Sequence, residues 1–503
     1  MTTESAPPAV DSAALGTRAA RGVIVTVGGQ CLKIVLQVAS VAVLARMLSP
    51  HDYGLLAMIT AIIGVADIFR DFGLSSAAIQ AKTLSFAQRN KLFWINTGIG
   101  ALLAVLTFAA APLIAALYDQ PQLVAMSRVL GVCFLLNGAA TQYRADLNRR
   151  LKFTRLATAD VSAPLVALIV AIGAALMGAG YWALVAQQIT MVVVMLLLVV
   201  VGGRWLPRRP RRGVPMDGML RFGWNLAGSQ LIGYISNNID SLIIGTRFGP
   251  SQLGLYNRAF QLLMTPLGQL RAPTTTVALP VLSKLHDDPR RYTAYLSRGQ
   301  LALGYTLIAG LGLVVGGAAP ISAVFLGGQW TSVVPIMRLL AIAGIFQTLA
   351  YVGYWVYLSR GLTRDLFQYT IITSVIKAIC ILTGSIWAVR GVATGYAIAP
   401  AIAWPLSFWW LARRSGIPVR GLLIQAFRII GVSALIACGA WGAAMLTSGL
   451  PPIISLAATS LGGLAVYGLL FLLVPRVRVD ILSVLEVLRR AARGRRGAPA
   501  PAG

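Results

Sequence analysis

Long apolar stretches separated by short polar segments run along almost the whole chain. Each stretch is roughly 17 to 25 residues long, the length that an α-helix needs to cross a hydrocarbon core. About fourteen stretches of this length can be placed, beginning near Gly22, Gly54, Leu92, Pro121, Leu156, Gly180, Phe222, Gly254, Gly299, Val333, Leu366, Gly391, Leu422 and Pro452. The pattern predicts an all-α polytopic membrane protein with about fourteen transmembrane helices.

The pattern also repeats itself along the chain. Several residues of the first half recur 200 positions later: Arg21/Arg221, Gly28/Gly228, Gln30/Gln230, Pro50/Pro250, Gly54/Gly254 and Leu55/Leu255. The offset drifts to 210 in the fourth spans, at Arg128 and Arg338. Because each half holds an even number of spans, both halves enter the membrane in the same orientation. The sequence therefore predicts a parallel repeat of two six-helix lobes with a substrate path between them.

The spans and polar segments divide the chain into predicted parts. These are a cytoplasmic N-terminal tail (1–21), an N-lobe of six helices (22–203), a basic cytoplasmic linker (204–221), a C-lobe of six helices (222–412), two further helices (413–475) and a basic cytoplasmic tail (476–503). The first tail is polar and no cleavage site follows a short apolar run. We therefore interpret the first span as a signal anchor.

Composition and charge narrow the class of protein. The chain is 57% hydrophobic and only 12% charged, with a mean hydropathy of +0.75. A net charge of +28 would indicate a nucleic-acid partner in a soluble protein. Here the outward loops hold only Arg46, Arg247 and Arg390, whereas the other loops and both tails are rich in Lys and Arg. This asymmetry follows the positive-inside rule, predicts cytoplasmic termini and membrane lipid as a partner, and argues against nucleic acid.

The sequence offers little support for an enzyme. It lacks the Gly-x-x-x-x-Gly-Lys-Ser/Thr loop that binds nucleotide phosphates. His51 and His286 fall in predicted loops on opposite sides of the membrane, and the four cysteines lie singly within apolar spans. We therefore predict neither a metal site nor a cofactor.

Ionisable residues inside the spans are the candidates for function, because they are costly in lipid and normally face a bundle interior or a water-filled cavity. Lys33 and Lys377 lie near the middle of their spans, with no acidic residue three or four positions away. We hypothesise that Lys33, Arg258 and Lys377, with Arg70, line a cationic cavity that binds an anionic group such as a phosphate or diphosphate. Alternatively, Arg258 reaches the outer interface.

A second group of ionisable residues lies toward the inner end of the second span. Asp67, Arg70 and Asp71 share one helix face, which predicts an ion-pair cluster. One interpretation of this cluster is a structural bracket that holds the second span against the loop that follows.

Several segments carry a family resemblance. They are residues 48–55 (LSPHDYGL), 67–80 (DIFRDFGLSSAAIQ), 93–96 (FWIN), 135–138 (LLNG) with Gln142, 149–153 (RRLKF) and 180–185 (GYWALV). They resemble the polysaccharide-transporter branch of bacterial oligosaccharide flippases, and most of all the colanic-acid-exporter-like Wzx proteins. The resemblance extends from about residue 20 to about residue 410 and is specific for the family, not for the sugar.

The resemblance implies a fold, a substrate and an energy source. The fold is that of multidrug/oligosaccharidyl-lipid/polysaccharide exporters, with two six-helix lobes in a V shape and two additional C-terminal helices. Such proteins move undecaprenyl-diphosphate-linked oligosaccharides across the bacterial plasma membrane by alternating access, for exopolysaccharide, capsule or O-antigen, and a polymerase and a chain-length regulator are expected partners. Proton- or sodium-coupled antiport is the implied energy source, with Asp67, Asp71 and Asp240 as candidate sites for the coupling cation.

Three alternatives remain open at this point. A lipid II flippase of the same superfamily would also need a basic cavity. A multidrug or cation antiporter would favour an acidic, aromatic cavity, and the deep charges of this chain are mostly basic. The third alternative is a non-transporting membrane scaffold for a polysaccharide synthase.

Overall fold

The computed structural model describes residues 12–71, 85–209 and 219–494, and nearly all of them are helical, with no β-strand among them. In chain order the helices are α1 (Ser12–Ala45), α2 (Pro50–Asp71), α3 (Phe86–Tyr118), α4 (Gln122–Arg149), α5 (Phe153–Leu176), α6 (Tyr181–Gly203), α7 (Met219–Lys284), α8 (Pro289–Leu303), α9 (Ala309–Phe325), α10 (Val333–Ser359), α11 (Thr363–Gly384), α12 (Ala388–Ser415), α13 (Val419–Leu446), α14 (Pro452–Leu473) and α15 (Pro475–Gly494). A short π-helical segment at Gly304–Ile308, called the π-turn below, joins α8 to α9. Helices suit a hydrocarbon environment because each one satisfies its own backbone hydrogen bonds.

Eleven helical stretches within the described residues are long and apolar enough to cross a membrane. One of them, 363–415, contains both α11 and α12, and α7 is not among the eleven. These stretches indicate a multi-pass membrane protein. The exact number of fourteen spans stays a prediction.

The helices form two compact units, residues 1–238 and 239–503. In the first unit α3 packs along α4, α5 along α6, and α1 against α5. In the second unit α12 contacts both α10 and α11, and α13 packs along α14. The division between the units falls inside α7, and the boundaries expected for the lobes and the linker stay a prediction.

The repeated proline starts a helical segment in each half. α2 begins at Pro50, so that His51 lies in its first turn and not in a loop as predicted. α7 is interrupted at Gly249, with φ 78° and ψ 179°, directly before Pro250. Glycine adopts this positive φ without steric cost. Proline suits the first turn of a helix because the backbone N–H it lacks would have no helical partner there. The repeat in the sequence therefore corresponds to a helix restart in both halves.

The start of the predicted linker is held by α3. The backbone N–H of Arg208 donates to Oδ1 of Asn90 at 2.7 Å. The Arg89 guanidinium lies 4.4 Å from the ring centroid of Trp205 and 2.7 Å from a carboxylate oxygen of the buried Asp146. These contacts fix the first residues of the linker to the first unit, whereas the middle of the linker lies outside the described residues.

The C-terminal helix α15 is anchored by a buried carboxylate. Asp480 is 8% exposed, and its Oδ2 lies 2.5 Å from Nη2 of Arg428 and accepts a hydrogen bond from the Tyr305 hydroxyl at 3.0 Å. The Tyr467 hydroxyl donates to the backbone carbonyl of Tyr305, within the π-turn, at 3.1 Å. Because removing one partner of a buried ion pair is strongly destabilising, these contacts fix α15 to α13 and to the π-turn.

α3 and α4 pack backbone to backbone at two glycines. A Cβ added to Gly138 would lie 2.5 Å from the carbonyl oxygen of Asn96, and one added to Gly100 would lie 2.5 Å from that of Phe134. No side chain fits at these distances. Small residues at such contacts increase the van der Waals packing that holds helices together in membranes.

We expect Gly138→Ala to lower the thermal unfolding temperature of the full chain in detergent. Alanine is favoured over glycine in a helix by about 1 kcal/mol, but the added methyl group pushes α3 and α4 apart, and overpacking costs about 1–3 kcal/mol.

Gly98 on α3 provides the matched control, because a Cβ there meets nothing within 4 Å. Gly98→Ala should leave the unfolding temperature unchanged or raise it. Equal unfolding temperatures for the two variants would contradict the close backbone contact at Gly138.

Candidate functional site

A cavity of about 550 Å³ lies within the first unit, with walls from α1, α2, α4, α5 and α6. It is near the turn between α4 and α5, on the side that the charge pattern predicts to be cytoplasmic. Three cationic side chains line it, those of Lys33, Arg70 and Arg144, together with the single carboxylate of Asp160. The cavity is therefore predominantly basic.

Lys33 enters the cavity from α1. This helix approaches α5 closely at Gly29, where an added Cβ would lie 3.3 Å from Cβ of Ala157. Among the described residues, no carboxylate lies within 4.0 Å of the Lys33 ammonium. An uncompensated ammonium deep in a bilayer costs about 3 kcal/mol on insertion scales. Water or a bound anion in the cavity is the compensation that this position requires.

Arg70 connects α2 to α4. Its Nε lies 2.8 Å from Oδ1 of Asp67, and its Nη1 donates to the Thr141 hydroxyl at 2.8 Å. Thr141 in turn donates to the carbonyl of Asn137 at 2.8 Å. The predicted ion pair between Asp67 and Arg70 is confirmed. Through its hydrogen bond to Thr141, the same arginine contacts α4. The loop after α2 lies outside the described residues, as does the side chain of Asp71.

Arg144 connects α4 to α5 and α6. Its Nη2 lies 3.0 Å from Oδ1 of Asp160, and its Nη1 lies 3.1 Å from the sulfur of Met195. The two charged side chains remain 42% and 31% exposed. Arg144 is not among the site residues predicted from the sequence. It lies on α4, which continues to Arg149.

The three cations together suit an anion. A guanidinium has five N–H donors, so Arg70 and Arg144 keep donors for a ligand after binding their own partners. Lys33 adds three more donors and has no carboxylate of the described residues in contact. Arginine recognises phosphate and carboxylate oxygens through paired N–H groups, and lysine binds them as a point charge. The cavity therefore favours an anionic group in water and disfavours a cationic ligand.

The second unit contains a separate cluster around Asp240. This residue is 1% exposed, and its Oδ2 accepts a hydrogen bond from the Tyr256 hydroxyl at 2.5 Å, while Oδ1 accepts one from the backbone N–H of Ser241 at 3.0 Å. The Lys377 ammonium lies 4.8 Å from the ring centroid of Tyr396. The ring centroids of Tyr396 and Phe260 are 5.9 Å apart, and those of Phe260 and Tyr256 are 6.2 Å apart. Asp240 and Lys377 are thus members of one cluster.

The structure brings together only part of the predicted site. Lys33 and Arg70 line one cavity in the first unit. Lys377 and Arg258, which is 6% exposed, belong to the second unit. A single cavity that contains all four cations stays a prediction.

In each half an arginine side chain contacts the fourth helix, and we call this contact the arginine bridge. Arg271, on the second segment of α7, follows Arg70 by 201 positions. Its guanidinium lies 5.5 Å from the ring centroid of Tyr351, and Nη2 is 3.4 Å from Oε1 of Gln347. Tyr351 follows Thr141 by 210 positions, which is the offset between the fourth spans. Both arginines therefore contact equivalent positions on the fourth helix of their own half.

Comparison with known proteins assigns a family and related sequences. The family described as polysaccharide biosynthesis protein matches residues 43–335, more than half of the chain. Lipopolysaccharide biosynthesis protein WzxC of Escherichia coli (strain K12) is 27% identical over 320 residues, which cover 62% of this chain and 64% of WzxC, just under two thirds of its length. Teichuronic acid biosynthesis protein TuaB of Bacillus subtilis (strain 168) is 27% identical over 398 residues, covering 77% of this chain and 80% of TuaB.

A solved structure shares the fold. Lipid II flippase MurJ, in an inward closed conformation, superimposes with a TM-score of 0.65 at 15% identity, covering 90% of this chain and 98% of MurJ. Similarity at this level of identity shows the fold alone. The predicted all-α membrane fold is therefore confirmed.

The charges in the cavity predict an order of affinity for inorganic pyrophosphate, measured as the pyrophosphate-dependent rise of the unfolding temperature at constant ionic strength. Arg144→Gln should weaken binding, because it removes a cation and leaves Asp160 without its partner. Asp160→Asn should strengthen binding, because it removes the one carboxylate in the cavity wall.

The double variant Arg144→Gln/Asp160→Asn should bind more tightly than Arg144→Gln alone, because the repulsive carboxylate is gone. If Asp160→Asn weakened binding, or if Arg144→Gln left it unchanged, the cavity would not be an anion site.

Proposed function

Because this chain belongs to the polysaccharide biosynthesis protein family, we propose that it transports a lipid-linked oligosaccharide and does not act as an enzyme. The substrate is an undecaprenyl-diphosphate-linked oligosaccharide, whose head group moves from the inner to the outer leaflet of the bacterial plasma membrane by alternating access. The relatives named for lipopolysaccharide and teichuronic acid biosynthesis support this proposal, as does the fold shared with a lipid II flippase. The observation that carries it is the cavity lined by three cations and one carboxylate.

The cavity addresses the main barrier to such transport. Each polar group moved from water into hydrocarbon without a partner costs about 2–7 kcal/mol, so a diphosphate with several sugars does not cross a bilayer unaided. A basic cavity that holds water replaces the lost hydration with N–H donors. Its volume of about 550 Å³ accommodates a diphosphate and part of a glycan, while the lipid tail stays in the bilayer.

The cationic residues have different roles in this scheme. Lys33, which contacts no carboxylate in the described part of the chain, supplies a full positive charge to the diphosphate. Arg70 is held in place by Asp67 and Thr141, which orients its remaining donors. Arg144 shares its charge with Asp160, so the cavity binds the head group without holding it too tightly for release.

The coupling ion acts at Asp67 in this proposal. The carboxylate of Asp67 is 45% exposed and paired with Arg70. When a proton or a sodium ion neutralises it, the positive charge of Arg70 is no longer offset by Asp67 and acts in full on the substrate. The ion thus controls how strongly the cavity binds the diphosphate.

The orientation and the partners follow from the charge pattern and the substrate. Both termini lie in the cytoplasm, where the basic linker and tail contact anionic lipid. The flipped oligosaccharide is delivered to a polymerase, with its chain-length regulator, on the outer side of the membrane.

We expect Lys33→Met to reduce the rate of oligosaccharide-lipid delivery in liposomes by roughly tenfold or more, because a hydrogen bond to a charged group contributes about 1.5–3 kcal/mol and about 1.4 kcal/mol is a factor of ten. The substrate is presented in one leaflet and its arrival in the other is measured, with an imposed proton or sodium gradient. Lys284→Met is the matched control, because Lys284 is exposed at the end of α7.

Comparison substrates distinguish the alternatives in the same assay. Transport of lipid II instead of the oligosaccharide lipid would identify a lipid II flippase, and transport of a cationic dye would identify a drug antiporter. If no substrate moved although the protein bound a polysaccharide synthase, the scaffold function would be correct. Equal transport by wild type and Lys33→Met would contradict the role of the cavity.

A further inference from the structure

The second unit buries a carboxylate that needs a compensating positive charge. Asp240 is 1% exposed and accepts hydrogen bonds from the Tyr256 hydroxyl and the backbone N–H of Ser241. Two neutral donors stabilise the charged form of a carboxylate but do not cancel its charge. Inside a membrane span, such a carboxylate normally pairs with a cationic side chain or binds a cation.

Lys377 is positioned to supply this charge. It projects from α11 and places its ammonium 4.8 Å from the ring centroid of Tyr396. The Tyr396 ring contacts that of Phe260, which contacts the ring of Tyr256, the hydrogen-bond partner of Asp240. No carboxylate of the described residues lies within 4.0 Å of the Lys377 ammonium, so it forms no direct ion pair there. A lysine has a flexible four-carbon stem that lets its ammonium approach a nearby carboxylate without backbone movement.

A second cationic group is connected to this cluster. The Gln347 amide donates to the Tyr396 hydroxyl at 3.3 Å and accepts from Arg271 at 3.4 Å, which extends the cluster to a guanidinium. Asp240 is the only carboxylate in the part of this cluster that the structure describes. An additional cation here would be repelled by charges already in place.

We propose that Lys377 is a tethered counter-cation for Asp240. Its ammonium, which lies more than 4.0 Å from the carboxylate, supplies from nearby the positive charge that a free alkali cation would otherwise bring, so Asp240 binds neither Na⁺ nor K⁺ while Lys377 is present. Removal of the ammonium leaves Asp240 and the Tyr256 hydroxyl as oxygen ligands of the kind that hard cations prefer. In the proposed transport function, on which this consequence rests, the coupling ion then acts elsewhere than at Asp240.

The test is the unfolding temperature of the full chain in detergent, in NaCl, KCl or choline chloride at equal ionic strength. Any response of wild type to Na⁺ or K⁺ should persist in Asp240→Asn, because it does not arise at Asp240. Lys377→Met should unfold at a lower temperature than wild type in choline chloride and recover as Na⁺ or K⁺ is added. Lys377→Arg keeps the positive charge and should respond to the salts as wild type does.

The double variant Lys377→Met/Asp240→Asn should be more stable in choline chloride than Lys377→Met and should lose the response to Na⁺ and K⁺. If Lys377→Met fails to fold, the double variant must still fold, because both charges are removed together. Failure of the double variant to fold would assign Lys377 a packing role and overturn the proposal. Two other results would also overturn the proposal. One is a rise in the unfolding temperature of wild type with Na⁺ or K⁺ that Asp240→Asn abolishes. The other is an unfolding temperature of Lys377→Met that responds to neither cation. This test measures stability and not transport. Its failure is therefore distinguishable from a failure of the proposed transport function, which the liposome assay tests.

Discussion

An ionisable side chain within a membrane span needs an opposite charge, a hydrogen bond or water, because hydrocarbon supplies none of these. This protein satisfies the requirement in two ways. Arg428 and Asp480 form a buried ion pair that anchors the last helix. Arg70 and Arg144 combine an acidic partner with access to a cavity, and Lys33 depends on the contents of that cavity. The cavity therefore lies where three cationic side chains need water or an anion, because hydrocarbon would otherwise exclude them.

The two halves share a scaffold but use their charges differently. In each half an arginine contacts equivalent positions on the fourth helix, at Thr141 in the first half and Tyr351 in the second. In the first unit this arginine lines a basic cavity. In the second unit hydrogen bonds connect it through Gln347 to an aromatic cluster. The arginine bridge is thus common to both halves, while its surroundings differ: a basic cavity in the first unit and an aromatic cluster in the second.

The sequence predicts those features that depend on local patterns, namely the apolar spans, the repeat that includes Pro50 and Pro250, and the ion pair between Asp67 and Arg70, which are three positions apart. Features that depend on where a helix ends or on distant residues were not predictable in this way. Arg144 was not among the predicted site residues, because polar residues begin before α4 ends. The proximity of Asp240 to Lys377 involves two helices far apart in sequence, and no periodicity encodes it.

The location of the bound diphosphate tests the central claim most directly. A cryo-microscopy structure of the full chain with undecaprenyl diphosphate would show it. The account predicts phosphate density within hydrogen-bonding distance of Lys33 and of the guanidinium groups of Arg70 and Arg144. Phosphate density at Arg258 or Lys377, with the first-unit cavity containing only water, would contradict it.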